Sequence, residues 1–207
     1  MDNCALGQSV FGKDIYEIVK GQPRELIIEL EKQCQTDKAT FFHSLGVAKL
    51  AFEVAHSLNF SDKDCRLLTL AALYHDIGKN FIDKSLINKA GSLTKKEKEI
   101  IGRHVEMGVK TVSSYDESVA GIIACHHDFK KESKKSHRSS DRSSQKYRKL
   151  GKILAIIDVF RALKENRPYK SALPTEEAER RIGEELELDG NDKKIIQILK
   201  DLAESVG

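Results

Sequence analysis

Seven side chains able to offer a nitrogen or oxygen to a metal ion stand in apolar company along this 207-residue chain: His43, His75, Asp76, His104, His126, His127 and Asp158. The densest case is Leu68-Thr69-Leu70-Ala71-Ala72-Leu73-Tyr74-His75-Asp76-Ile77-Gly78-Lys79, an apolar helical run that ends in a histidine, an aspartate and a lysine. An imidazole and a carboxylate buried there need a partner of comparable strength, because an uncompensated charge away from water is expensive. A metal ion is such a partner. Asp158, flanked by Ile156, Ile157, Val159 and Phe160, poses the same problem, with an arginine or a helix cap as its alternative partner. His56 and His137 lie on polar ground and read as surface residues.

Seven N and O ligands are too many for one cation and suit two, with Asp76 as the natural bridge because a carboxylate has two oxygens. Two adjacent cations can deprotonate a shared water at neutral pH and hold the oxygens of a phosphoryl group during in-line displacement. The chemistry expected is hydrolysis of a phosphate ester, with Asp76 and Lys79 as catalytic candidates. Lys79, one turn beyond Asp76, and Arg167 with Lys170 supply positive charge for substrate phosphates.

These residues need elements that bring them level. From Thr36-Asp37 a periodic helix runs to about Leu58, with Phe42, Leu45, Ala48, Phe52 and Ala55 on or near its inner face. Asn59-Phe60-Ser61 turns the chain into a second helix ending near Asp76. His43 lies 17 residues before Phe60 and His75 lies 15 after it, so at about 1.5 Å per residue the two sit level across the hairpin. The construction recurs: a Thr94/Glu97 capping box opens a helix from Lys95 to about Ser113, a turn follows, and a helix runs from Glu117 to about His127. His104 is 11 residues before Tyr115, and His126 and His127 are 11 and 12 after it. Adjacent histidines diverge by about 100° inside a helix but can aim together at a fraying end. Leu150 to Phe160 is apolar enough to be central, Pro174 opens another helix, and Ile195, Ile196, Leu199 and Leu202 line a last one.

The chain therefore reads as all-α, with residues 1–35 an N-terminal segment of two short helices that packs on the main domain or docks a protein partner, and 36–207 the main domain. No apolar run reaches membrane-span length and the first residues lack a signal-peptide pattern, so no membrane partner and a cytoplasmic location are expected. The net charge of +3 is local: Phe129 to Arg148 carries eight Lys or Arg against two acidic residues, so the remainder is acidic. This serine-rich stretch reads as a solvated, disordered loop. Binding of nucleic acid through 129–148 is the weaker reading, since only Phe129 and Tyr147 could stack on bases.

The set His43, His75-Asp76 and Asp158 resembles the HD superfamily of metal-dependent phosphohydrolases. The longer string is similar to its HD-GYP branch: His75-Asp76-Ile77-Gly78-Lys79, Ile87-Asn88-Lys89-Ala90-Gly91-Ser92-Leu93-Thr94, Arg103-His104-Val105-Glu106-Met107-Gly108, His126-His127, and Ile157-Asp158-Val159-Phe160 through Arg167-Pro168-Tyr169-Lys170. The resemblance implies a compact helical HD-type bundle over roughly residues 38 to 182. It implies that His43, His75, Asp76, His104, His126, His127 and Asp158 ligate iron or manganese, and that Lys79, Arg167 and Lys170 contact the phosphates of cyclic di-GMP. Two departures bear on this. Ala39 stands where some members carry an acidic ligand, which argues for two metals rather than three. The Gly-Tyr-Pro motif is absent, and the basic serine-rich stretch comes after His126-His127-Asp128 instead. Two functions are expected on this basis: a two-metal phosphodiesterase of a nucleotide such as cyclic di-GMP, or a signalling protein that binds a cyclic dinucleotide without efficient turnover.

Overall fold

Asp37 and Ser61 each cap a helix, and the two helices they open form a central hairpin. In the computed structural model, which describes residues 6–130, 142–166 and 171–205, the Asp37 carboxylate accepts from Thr40 N at 3.0 Å and the Ser61 hydroxyl from Asp64 N at 3.2 Å. They start α4 (Lys38–Ser57) and α5 (Asp62–Tyr74). Asn59, in the left-handed region at φ 54°, makes the turn between them. Before the hairpin come α1 (Gln8–Phe11), α2 (Lys13–Val19) and α3 (Arg24–Thr36). After it come a 3-10 turn at Ile77–Phe81, α6 (Lys84–Ile87), α7 (Lys95–Gly102), α8 (His104–Ser113), α9 (Glu117–Cys125), α10 (Arg142–Lys164), α11 (Thr175–Glu185) and α12 (Asp192–Glu204). Among the described residues there is no strand, only an isolated bridge between Lys130 and Leu186. The chain is all-α, and among these residues no helix is long and apolar enough to cross a membrane.

Burial follows from apolar content. Leu67 to Tyr74 of α5 are all buried, as a helix apolar on every side must be. The second half of α10, from Leu150 to Phe160, is nearly as enclosed and packs against α4, α5 and α9. Two glycines let backbones meet where the site will form. A Cβ on Gly78 would collide with the His104 carbonyl and lie 2.6 Å from Gly108 N, so the 3-10 turn rests directly on α8. A Cβ on Gly151 would lie 2.7 Å from Cys125 Cβ and 3.0 Å from the Ile122 carbonyl, which brings α10 against the end of α9.

The N-terminal helices spend their apolar residues on this core. Phe11, Ile15, Val19, Leu26 and Leu30 are buried in it, and Arg66 Nη1 donates to the Ile18 carbonyl at 3.0 Å. Asn80 of the 3-10 turn donates to the Glu29 carbonyl at 2.9 Å. Gln33, fully buried, donates to the Asp76 carbonyl at 3.1 Å. Cys34 is disulfide-bonded, whereas Cys65 and Cys125 are free thiols.

Four local expectations differ from the structure. The helix expected over 95–113 is two, α7 and α8, broken at Arg103. Phe42, expected inward, is 52% exposed, because the buried stripe of α4 runs through Phe41, Leu45, Ala48 and Ala55 while Phe42 shares the face of Lys49 and Glu53. The N-terminal segment holds three helices rather than two. The two ends of the basic loop expected over 129–148 are structured instead. Phe129 is buried beneath Arg148, whose guanidinium carbon lies 4.8 Å from its ring centroid, and Arg142 to Arg148 form the first turns of α10. Tertiary contacts hold those polar turns helical: the Tyr147 hydroxyl bonds Ser118 Oγ at 3.0 Å, its ring fills the space over Gly121, and Lys146 pairs with Asp64. Residues 131–141, with His137, lie outside the described residues.

Gly78→Ala should destabilise the protein by at least about 3 kcal/mol in urea unfolding, because a backbone rather than a flexible side chain must move. Gly91→Ala, in open space but at φ 98°, serves as the strained control with a smaller loss. Gln33→Ala should cost about 1–3 kcal/mol through a buried void and a lost hydrogen bond. Equal midpoints for Gly78→Ala and wild type would show that the close approach of the 3-10 turn to α8 is not required.

Candidate metal centre

The candidate ligands arrive from five directions. His43 lies in the second turn of α4, His75 caps the C-terminus of α5, and Asp76 begins the 3-10 turn. His104 opens α8, His126 caps α9 with His127 next to it, and Asp158 projects from α10. The structure brings all seven together. Ring centroids are 5.7 Å apart for His43 and His75, 5.4 Å for His75 and His126, and 5.9 and 5.0 Å from His104 to His126 and His127. Helix α9 ends at Cys125, and this frees His126 and His127 to face one centre.

Two donor clusters result. His43, His75 and Asp158 each place one ligand atom within 4.8 Å of the others, and so do His104, His126 and His127. Asp76 stands between them, Oδ2 lying 3.4 Å from His75 Nε2 and Oδ1 3.3 Å from His104 Nε2. The tautomers follow from the hydrogen bonds. His75 Nδ1 faces the Ala72 carbonyl at 2.8 Å, His104 Nδ1 that of Ile101 at 2.7 Å, and His126 Nδ1 that of Ile123 at 2.5 Å. A carbonyl only accepts, so each Nδ1 carries the proton, and in the neutral ring Nε2 presents its lone pair. Those three Nε2 atoms are buried without a hydrogen-bond partner. Convergent, desolvated lone pairs with their other nitrogens tied to carbonyls are the donor set a divalent cation takes.

The electrostatics divide the clusters. Burial holds His126 down to about 3 and keeps His104 and His127 below the ordinary imidazole range. Burial works against the charged form of His43 as well, but hydrogen bonds to Asp158 and Glu165 outweigh it and push the ring up to about 9. For His75 burial is outweighed by Asp76. Asp76 is held well below the carboxylate range because Lys79 and His75 overcome its desolvation, and Asp158 is lowered because His43 does the same.

Lys79 Nζ lies 2.6 Å from Asp76 Oδ2, on the wall of an open cleft of about 920 Å³ that also exposes His43, Asp76, His104, His127 and Asp158. Lys89, Lys130, Arg161 and Lys164 line the same cleft, with Phe42 among them. Arg167 and Lys170 lie outside the described residues. Two residues of the site carry little or no mark in the sequence motifs. Gln33 supports Asp76 from α3, and no pattern in that helix signals it. Glu165, whose oxygens are 3.0 and 3.1 Å from His43 Nδ1, does carry a signal: it comes seven residues after Asp158, two turns along one helical face.

The family model for the HD domain matches residues 40–163. The cyclic di-GMP phosphodiesterase PA4108 of Pseudomonas aeruginosa is 28% identical over 159 residues, covering 76% of this chain and 38% of that protein. The cyclic di-GMP phosphodiesterase response regulator RpfG of Xanthomonas campestris is 30% identical over 165 residues, covering 74% of this chain and 41% of that protein. The 3'3'-cGAMP-specific phosphodiesterase 2 of Vibrio cholerae is 30% identical over 158 residues, 71% of this chain and 28% of that one. The chain thus spans well under half the length of these relatives. Among solved structures, the HD domain of the L. monocytogenes phosphodiesterase PgpH superposes with a TM-score of 0.62 at 18% identity, over 86% of this chain and 98% of that one. The matched stretch contains every one of the seven converging side chains, and the chain belongs to the HD domain family.

Proposed function

We propose that this chain is a metal-dependent phosphodiesterase of cyclic dinucleotides, holding two divalent cations, iron or manganese, one in each histidine cluster with Asp76 shared between them. The observation that carries the reading is the pair of clusters with one Asp76 oxygen toward each. HD phosphohydrolases are metal-dependent, and the relatives from Pseudomonas, Xanthomonas and Vibrio are phosphodiesterases of cyclic di-GMP or cGAMP. A PgpH HD domain of the same fold has been solved with cyclic-di-AMP.

When bound, such a pair of cations supplies an activated water at neutral pH and neutralises charge on the reacting phosphoryl oxygens. The chain's own groups do the rest. Carbonyl-anchored imidazoles keep the donors preorganised, so no reorganisation is needed at the moment of reaction. Lys79 now spends its ammonium on Asp76; once cations balance that carboxylate, the same ammonium is available to a substrate phosphate. Lys89, Lys130, Arg161 and Lys164 give the cleft the charge a dinucleotide diester requires, with Arg167 and Lys170 continuing it in the proposal. Phe42 offers a nucleobase an aromatic face, and the cleft volume suits a ligand of that size.

A second reading, binding without efficient turnover, is favoured by the segment immediately after His127. Instead of a Gly-Tyr-Pro segment the chain buries Phe129 under Arg148, and Glu187 N bonds the Phe129 carbonyl at 2.9 Å, so this segment is anchored to the C-terminal helices. Lost positioning lowers turnover even where the reacting groups are in place.

Elemental analysis of anaerobically purified, metal-saturated protein should approach two ions per chain. Asp76→Ala should empty both positions, whereas Asp158→Ala should weaken one. Saturation at one ion, or at three, contradicts the proposal. In a hydrolysis panel, a bis-aryl phosphate should be cleaved, and cyclic di-GMP cleaved more slowly than by a Gly-Tyr-Pro-containing enzyme assayed alongside. Lys79→Ala should raise KM about tenfold or more while metal content stays at two. A fully loaded protein that cleaves no phosphodiester would leave the binding-only reading standing.

A further inference from the structure

Three of the histidines in the centre solve the same problem in the same way, and His43 solves it differently. His75, His104 and His126 stand at helix ends or just after a break, where each Nδ1 reaches the carbonyl three residues earlier. His43 sits inside α4, whose carbonyls are taken up by the helix ladder, so its Nδ1 needs a side-chain partner. That partner is Glu165, just past the last residue of α10 and only 16% exposed. Glu165 is held in turn by charge rather than by a hydrogen bond: Oε1 lies 2.8 Å from Arg161 Nε, one turn back on α10, and that Nε makes no hydrogen bond. The guanidinium of Arg161 lies flat against α4 at Gly46, where a Cβ would collide with Nε and lie 2.8 Å from Cζ. Gly46 is one turn after His43, so a single face of α4 presents both the ring and the seat for the arginine that steadies the ring's partner.

We propose that Glu165, braced by Arg161 in the space left at Gly46, is a positioning residue for the cation position formed by His43, His75 and Asp158, and that the position formed by His104, His126 and His127 does not depend on it. This rests on the two-cation reading of the centre. A carboxylate on Nδ1 fixes the tautomer and orientation of His43 and raises the basicity of Nε2, which a backbone carbonyl does less strongly. The two positions are thereby made unequal, the one beside Glu165 being the more tunable.

The test is a Mn²⁺ titration of the metal-stripped full chain by calorimetry, with EPR of the loaded samples. Wild type should take up two ions and show a spin-coupled spectrum. In Glu165→Ala, affinity at one position should fall about 10–100-fold while the other is unchanged, and at equal Mn²⁺ the spectrum should become mononuclear. Glu165→Gln, which keeps an acceptor for Nδ1, should recover most of that loss. Gly46→Ala should fall between wild type and Glu165→Ala without removing any charged group, and Arg161→Ala should match it, which covers the case in which Gly46→Ala does not fold. Two ions bound by Glu165→Ala with wild-type affinity would overturn the inference, as would equal weakening of both positions or a Glu165→Gln protein no better than Glu165→Ala. Wild type that binds no Mn²⁺ overturns the two-cation reading itself, and this assignment with it.

Discussion

Lone pairs aimed at one common centre are the constraint around which this fold is arranged. Each of three buried imidazoles gives its Nδ1 proton to a carbonyl within its own turn, and this commits the opposite nitrogen to the centre with nothing to bond there. A protein core does not keep such groups without cause, since each buried polar atom left unsatisfied costs about 1–3 kcal/mol. Two carboxylates share the centre, and His43, pushed up to about 9 by Asp158 and Glu165, offsets them with the ammonium of Lys79 only in part of it: burial holds the second cluster toward its neutral form. A cation in each cluster, as proposed, would resolve both problems together.

The helices serve that convergence. Two hairpins set histidines level, but level is not close, and the last few ångströms come from glycine. Gly78 lets the turn after Asp76 rest on the backbone that carries His104, and Gly151 lets α10 bring Asp158 toward the end of α9. Gln33 adds a hydrogen bond to Asp76 from outside the HD-matched region. The shared carboxylate is thus held by its own turn, by α8 across a glycine contact and by α3, which suits a group that must keep one oxygen toward each cluster.

Much of this is legible in the sequence because helix periodicity converts directly into height along a hairpin. The distances of His43 and His75 from Phe60, and of His104 and His126 from Tyr115, are enough to set the rings level. Capping chemistry is equally readable: Thr94 and Glu97 make the reciprocal bonds their spacing implies. The features that are not legible depend on tertiary contact. The break at Arg103 follows Gly102, a single weak helix former inside an otherwise continuous pattern, and at the polar start of α10 Tyr147 and Lys146 find partners on α9 and α5. Phe42 differs from its expected place by one residue of phase, which on a helix is about 100° and the difference between core and cleft. Glu165 lies within reach of the same arithmetic, two turns beyond Asp158 on one face, but just past the apolar stretch that marks α10 as central.

The most direct measurement is a crystal structure of Mn²⁺-loaded protein with data collected at the manganese edge. The account predicts two anomalous peaks, one among His43, His75 and Asp158 and one among His104, His126 and His127, with one Asp76 oxygen on each. A single peak, or two peaks that do not share Asp76, would contradict it.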